Sequence, residues 1–230
     1  KRYTEARQFA EAGMQLAKHY PKFPGLPVFY NGLGSMQWFY TAPYSQAIKI
    51  QQKAYDFGLE FGEVMAGVLA GSANVVVNQF VMGEALVKVS KKILNVQELL
   101  VKYDHKIAAG AYYARLVDAL MQSTESLRNL SNPLDISTFL PDEWQLIQSC
   151  ALKSFIEHLQ VQWFFWSDQD KLAWQAVKTA EPSVELMSGF ITPLEHRFLA
   201  ALLACQRYPS ANESEQEALS DYIASSREEL

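Results

Sequence analysis

The stretch Phe155–Pro182, FIEHLQVQWFFWSDQDKLAWQAVKTAEP, predicts two amphipathic helices joined by a tight polar turn. The first helix ends in a run of aromatic residues from Trp163 to Trp166. The second, which we expect to end at Pro182, carries small or apolar residues at helical spacing: Leu172, Ala173, Ala176, Val177 and Ala180. Because small residues on one helix let a bulky neighbour approach closely, the stretch predicts the kind of helix pair from which helical-repeat arrays are built.

Helical periodicity extends from this pair towards the amino terminus. Apolar residues recur at steps of three and four, which is typical of helices with one buried face. The start positions near Pro43, Glu63, Glu84 and His105 repeat at about twenty residues per helix, or about forty per pair, as in helical repeats. The predicted helices are Tyr3–Tyr20, Val28–Tyr40, Pro43–Phe61, Glu63–Met82, Glu84–Tyr103 and His105–Ser123.

The carboxyl-terminal part shows the same pattern after one interruption at Asn129–Leu140. Pro141 starts the next helix, Ser167 or Asp168 is the expected cap of Gln169–Ala180, and Thr192 is the expected cap of a helix that runs to Arg207. The last predicted helix is Glu213–Ser226, and no stretch alternates as a strand does.

These patterns predict an all-α fold in which antiparallel helix pairs stack as a tetratricopeptide-like, right-handed superhelical array. We expect one helical-repeat domain over residues 1–230. Within it, sub-blocks 1–128 and 141–230 are joined by an irregular excursion at 129–140.

Composition limits the classes of function. The chain is 49% apolar and 20% charged, which is typical of a globular protein with a large core. Its formal net charge of −5 argues against nucleic acid as the main partner, because no basic stripe faces a row of phosphates. Cys150 and Cys205 are expected to be buried thiols in a reducing compartment.

The segments Leu26–Ile48 and Val64–Gly83 are long and carry no charged residue, as a membrane span would. Both contain prolines, asparagines or glutamines, so we expect buried segments and no membrane span. The chain begins at Lys1 in the middle of a helical pattern, and we expect it to be a piece of a longer, cytoplasmic protein.

Four segments carry a resemblance to a known family: AKHYPKFPGLPVFYNGLGSMQWF, YDFGLEFGEVMAGVLAGSANVVVNQFVMGEAL, VQWFFWSDQDKLAWQAVKTAE and ITPLEHRFLAALLA. Together with the local step Gly58-Leu-Glu-Phe-Gly62-Glu63, they resemble the tetratricopeptide-like helical region of bacterial multidomain signalling ATPases and hybrid serine/threonine and histidine kinases. The similarity extends from about Ala10 to Pro209. It implies a position after an ATPase domain and before GAF and histidine-kinase domains, in a signal-transduction protein.

Residues that could support catalysis or metal binding do not group in the sequence. The histidines are His19, His105, His158 and His196, and none has a second His, Cys or carboxylate at a metal-ligand spacing. Asp168 and Asp170 are better explained by helix capping than by a metal. No GxxxxGK[ST] run occurs. We therefore predict no catalytic, cofactor-binding or metal-binding residues and no cofactor, and we expect a segment that is not itself an enzyme.

The predicted function is a helical-repeat module that mediates protein–protein or interdomain interaction. The expected partners are a protein segment or flanking domains of the same chain, and a second copy of the chain is a further candidate. A small-molecule sensor, with an apolar cavity under Trp38, Trp163 and Trp166, is the alternative. Candidate residues for an interaction or ligand surface are Trp38, Tyr112, Trp163, Trp166 and Trp174.

Overall fold

The computed structural model describes residues 3–37, 43–69, 76–102, 150–187 and 191–229. Within these ranges every regular element is helical and no strand occurs, which confirms the all-α prediction there. The α-helices are α1 (Tyr3–His19), α2 (Leu26–Gly32), α3 (Tyr44–Glu60), α4 (Val64–Leu69), α5 (Val76–Val81), α6 (Leu86–Lys102), α7 (Cys150–Trp166), α8 (Asp170–Val184), α9 (Thr192–Arg207) and α10 (Glu213–Glu229). A π-helix (Leu33–Gln37) follows α2, and 3-10 turns follow α8 (Glu185–Met187) and α9 (Tyr208–Ser210).

The chain divides into two compact units, Lys1–Val117 (unit 1) and Asp118–Leu230 (unit 2). The single domain over 1–230 stays a prediction. The predicted helix His105–Ser123 and the excursion 129–140 lie outside the described residues.

Unit 1 is built around a core shared by α1, α2 and α3. Alanines on α1 and α3 let these helices approach α2, whose Leu26 and Tyr30 are buried. The Phe57 ring stacks between Tyr30 at 5.7 Å and Phe61 at 5.4 Å, so the apolar face predicted for α3 is confirmed. The buried residues of this core are Ala10, Ala17, Leu26, Tyr30, Leu33, Ala47, Ile50 and Ala54.

Two glycines allow α3 and α4 to touch backbone to backbone. A Cβ atom on Gly58 would stand 2.6 Å from the backbone nitrogen of Gly67, and one on Gly67 would stand 2.9 Å from the Gly58 Cα. Only glycine fits such an approach. The predicted long helix Glu63–Met82 is seen as α4 and α5, and residues 70–75 between them lie outside the described part.

Unit 2 is built on the pair formed by α7 and α8, as the sequence predicts. Only Ser167, Asp168 and Gln169 separate the two helices, so they run antiparallel. The alanines of α8 are buried against α7, and α9 and α10 complete the core. Its buried members are Val161, Ala173, Ala176, Val177, Ala180, Val184, Leu199, Ala200 and Leu203.

Several predicted helix ends are wrong. Pro182 lies inside α8, which continues to Val184. The last turn is tied to α7, because the Ser154 hydroxyl of α7 donates to the Ser183 carbonyl at 2.6 Å. The second helix begins at Leu26, not Val28, and gives way to the π-helix after Gly32.

The predicted caps of α8 and α9 are also wrong. Gln169, not Ser167 or Asp168, is the N-cap of α8, and the Ser167 hydroxyl is used within the turn, where it donates to the Phe164 carbonyl at 3.2 Å. Ile191 precedes α9, and Thr192 is its first residue. The last helix extends to Glu229, past the predicted end at Ser226.

Candidate functional site

A buried row of polar side chains connects α7 to α8 and α9. Ser154, His158 and Gln162 stand four residues apart on α7 and share one face of it. All of them are buried. We call this row, with Glu157, Ser183, Glu195 and His196, the polar seam.

Glu195 is the acceptor at the centre of the polar seam. The His158 Nε2 atom lies 3.0 Å from Glu195 Oε2, and the Gln162 Nε2 atom donates to Glu195 Oε1 at 2.6 Å. One turn of α7 away, the Ser183 hydroxyl donates to the Glu157 carboxylate. These bonds fix the register of three helices at once, since each buried donor would be left unsatisfied by a slip.

His196 is a buried member of the polar seam, and its environment shifts its pKa. Its ring lies 5.8 Å from the His158 ring, and neither of its nitrogens has a hydrogen-bond partner among the described residues. Burial, with smaller contributions from His158 and Arg197, lowers the pKa of His196 to about 3. His196 is therefore a neutral imidazole at neutral pH.

Sequence reasoning missed the polar seam. His158 and Glu195 are 37 residues apart, so no local spacing motif joins them. One signal was available: Ser154, His158 and Gln162 recur every four residues within a mostly apolar helix. Such a polar line inside a core predicts a partner line on a neighbouring helix.

The candidate tryptophans fall into different environments. Trp163 is buried in the core of unit 2, and Trp166 is 46% exposed. Trp174 is half-buried, and its ring meets the Tyr222 ring edge-on at 5.7 Å. Trp38 and Tyr112 lie outside the described residues, so the cavity predicted under Trp38, Trp163 and Trp166 stays a prediction.

Trp174 lines a small pocket between α8, the link after α9, and α10. Its volume is about 220 Å³, and we call it the cationic pocket. The Lys178 Nζ atom lies 4.9 Å from the centroids of both the Trp174 and the Tyr222 rings, and the Arg207 Cζ atom lies 5.7 Å from the Trp174 centroid. The lining residues are Trp174, Lys178, Arg207, Ala211, Glu215, Ala218, Leu219 and Tyr222.

Unit 1 has a larger and nearly wholly apolar concavity, which we call the apolar groove. Its volume is about 420 Å³, and α1, α2 and the link between them form its walls. The Leu16 side chain, at 60% exposure, stands at its edge. The lining residues are Gly13, Leu16, Ala17, Tyr20, Phe23, Leu26 and Phe29.

Further large apolar side chains are exposed on the helices that form the apolar groove. Phe9 on α1 is 78% exposed, and Val28 on α2 is also exposed. Tyr20 and Phe23, which line the groove, are exposed as well. Large exposed apolar surface is a mark of interaction or ligand sites in proteins.

Within the described ranges, no group of three or more His, Cys, Asp or Glu side chains could hold a metal ion. Within the same ranges no helix combines the length and apolar character needed to cross a bilayer.

Cys205 is exposed, which contradicts the buried thiol predicted for it. It follows the buried pair Leu203 and Ala204 and lies on the outer side of α9.

Comparison with protein-family models, with curated proteins and with solved structures finds no match.

Proposed function

We propose that this chain is a non-catalytic helical interaction module whose apolar groove receives the apolar face of a helical segment. The tetratricopeptide-like stacking of helix pairs, and the place of the module in a bacterial signal-transduction ATPase or kinase, belong to the same proposal and come from the resemblance described above. On this proposal the segment belongs to a flanking domain or to a partner protein.

The observation that carries the proposal is the exposure of large apolar side chains along α1. A monomeric surface rarely leaves Phe9 and Leu16 exposed on one helix with Tyr20 exposed just after it, because covering them releases ordered water. The groove has a volume of about 420 Å³ and an almost wholly apolar lining. A helical segment that covers it would bind in the helix-in-groove mode of recognition, in which apolar residues at steps of three and four act as anchors.

The charges beside the groove favour an acidic segment. Lys18 and Lys22 lie close in sequence to the groove residues Leu16 and Tyr20 and are exposed. Lys18 also lies in the last turn of α1, where a basic side chain complements the helix dipole. An acidic residue flanking the apolar anchors of the partner helix would meet these charges at the rim, where they steer association more than they add affinity.

The proposal is tested by replacing Leu16 with Lys in the complete chain. Each domain that flanks the chain in its parent polypeptide is titrated by calorimetry against wild type, Leu16→Lys and the control Leu94→Lys. Leu94 lies on α6 of the same unit and is 56% exposed, so the control adds the same charge outside the groove. We expect binding by wild type and the control, and a loss of at least about tenfold in Leu16→Lys, as for an apolar residue that the partner covers.

Absence of heat with either flanking domain, or an equal loss in both variants, contradicts the proposal. Sedimentation velocity on the chain alone tests whether two copies of the chain form a dimer. A dimer that Leu16→Lys dissociates and Leu94→Lys preserves would identify a second copy as the occupant of the groove.

A small apolar ligand is the second candidate, because the volume of the apolar groove lies within the range of small-molecule sites, about 300–1,000 Å³. A lining without polar groups fits a hydrocarbon chain better than a polar metabolite. A native mass spectrum of the purified chain separates the two functions. Retained mass that is lost in Leu16→Lys supports the sensor, whereas an unliganded mass with tight domain binding supports the interaction module.

A further inference from the structure

We propose that the cationic pocket of unit 2 binds a small organic anion, with Lys178 and Arg207 on its carboxylate or phosphate group and the Trp174 and Tyr222 rings against its apolar body. The pocket is separate from the apolar groove, so this inference does not depend on the proposed function. Its argument rests on the charges, the aromatic walls and the size of the pocket.

One of the two cations of the pocket, Arg207, has donor capacity to spare. Its Nε atom is buried and has no hydrogen-bond acceptor among the described residues. Because this atom is closed to solvent, a bound oxyanion would be met by the terminal nitrogens of the guanidinium group. Guanidinium groups present a planar fork that matches carboxylate and phosphate oxygens, so an oxyanion is the ligand that Arg207 selects.

Nearby carboxylates only partly compensate the charges of Lys178 and Arg207. The Lys178 Nζ atom lies 3.6 Å from Glu181 Oε1, in a pair whose side chains are both more than a third exposed. Glu215 lines the pocket, but its Oε2 atom already accepts the Asn212 backbone N–H at 3.2 Å within the capping box of α10. The two cations therefore have two carboxylates near them: Glu181, beside Lys178, and Glu215, whose Oε2 atom is engaged by the Asn212 N–H.

The aromatic rings of Trp174 and Tyr222 line the cationic pocket, and its cations lie against them. Lys178 lies over Trp174 and Tyr222 at the same distance, 4.9 Å, and the two rings are 74° apart in orientation. Ala211, Ala218 and Leu219 complete the lining with apolar surface. A ligand that touches these walls needs an apolar part as well as a charge.

The size of the pocket limits the ligand. At about 220 Å³ it is below the range of drug-sized ligands, about 300–1,000 Å³. A compact acid such as an aromatic carboxylate matches both the charge and the walls. An inorganic ion would use the charges and leave the aromatic surface in water.

The test is calorimetric titration of the complete chain at low ionic strength with benzoate and, separately, with inorganic phosphate. Lys178→Gln and Arg207→Gln each remove one charge from the pocket. Lys171→Gln is the matched control, because Lys171 lies two turns before Lys178 on α8 and is also exposed. Helix content by circular dichroism checks that each variant is folded, and Lys178→Gln keeps the test valid if Arg207→Gln fails to fold, because the Lys178 side chain is half exposed.

We expect benzoate to bind wild type and Lys171→Gln within twofold of each other, and to bind Lys178→Gln and Arg207→Gln at least tenfold more weakly. Added salt should weaken binding to the wild type, since the attraction is ionic. Phosphate binding as tight as benzoate binding overturns the organic part of the assignment. Absence of binding by both ions, or an equal loss in the Lys171 control, overturns the anion site.

Discussion

His196 shows how one buried residue makes stability depend on pH. The unfolded chain takes up a proton on this ring near pH 6.5, whereas the folded chain does so only near pH 3. The contribution to stability is therefore complete above about pH 6.5 and is lost as the pH falls from 6.5 towards 3. Between pH 6.5 and 5 the loss is on the order of 1–2 kcal/mol.

Replacing His196 with Leu should remove this pH dependence. We expect the free energy of unfolding, measured in urea, to fall less between pH 6.5 and 5 in His196→Leu than in wild type, by on the order of 1–2 kcal/mol. At pH 7 the variant should be at least as stable as wild type, because two buried nitrogens without partners disappear.

His196→Gln separates titration from polarity. It also removes the ionisable ring, so its pH profile should be as flat as that of His196→Leu. At pH 7 its free energy of unfolding should be lower than that of His196→Leu, because a buried amide costs more than a buried apolar side chain. An unchanged pH slope in both variants would show that other groups carry the acid sensitivity.

At the level of single elements, the contact between α3 and α4 depends on Gly58. Alanine is the better helix former by about 1 kcal/mol, so local propensity alone predicts that Gly58→Ala stabilises. The new methyl group would collide with the backbone of Gly67, which cannot rotate away as a side chain can. We expect Gly58→Ala to lower the free energy of unfolding by about 1–3 kcal/mol, the usual cost of overpacking.

Gly32→Ala is the control for this prediction. A Cβ atom at Gly32 meets nothing within 4 Å, and the residue is the last of α2. The same substitution should therefore leave stability unchanged or raise it by up to about 1 kcal/mol. Urea unfolding of both variants measures the sign of each change in the free energy of unfolding. A Gly58→Ala variant more stable than wild type would contradict the close approach of α3 and α4.

The helices of unit 2 were largely predictable from sequence because their signals are local. The aromatic end of α7, the turn and the alanines of α8 all lie within one stretch, and the pair forms as expected. The position of the start of α9 was predicted to within one residue by Thr192 and Pro193. The role of Glu195 was not, because its carboxylate serves His158 and Gln162 of α7 instead of capping its own helix.

The candidate sites were less predictable than the helices, because they depend on contacts between residues that are far apart in the sequence. Trp174 was identified as a surface candidate from its residue type alone. What makes it a pocket wall is Tyr222 of α10 and Arg207 of α9, and their approach follows from packing between helices that no spacing encodes. The apolar groove likewise needs α1 and α2 in contact before its surface exists.

At the scale of the whole molecule, the question is whether the chain unfolds in one step. The stack predicted over residues 1–230 requires neighbouring helix pairs to share their stability, as repeat arrays do. Among the described residues, one buried cluster lies within unit 1 and another within unit 2. A cluster that lies within a single unit favours a cooperative transition of that unit.

Gly58→Ala tests this with two spectroscopic signals. Of the tryptophans in the sequence only Trp38 belongs to unit 1, so tryptophan fluorescence reports mainly on unit 2, whereas circular dichroism reports on both units. We expect the substitution to lower the urea midpoint seen by circular dichroism and to leave the fluorescence midpoint within error of wild type, since the damage stays in the core that contains α3. An equal shift of both midpoints would instead support the single stack predicted from the sequence, because only coupled helices transmit a local loss to the whole chain.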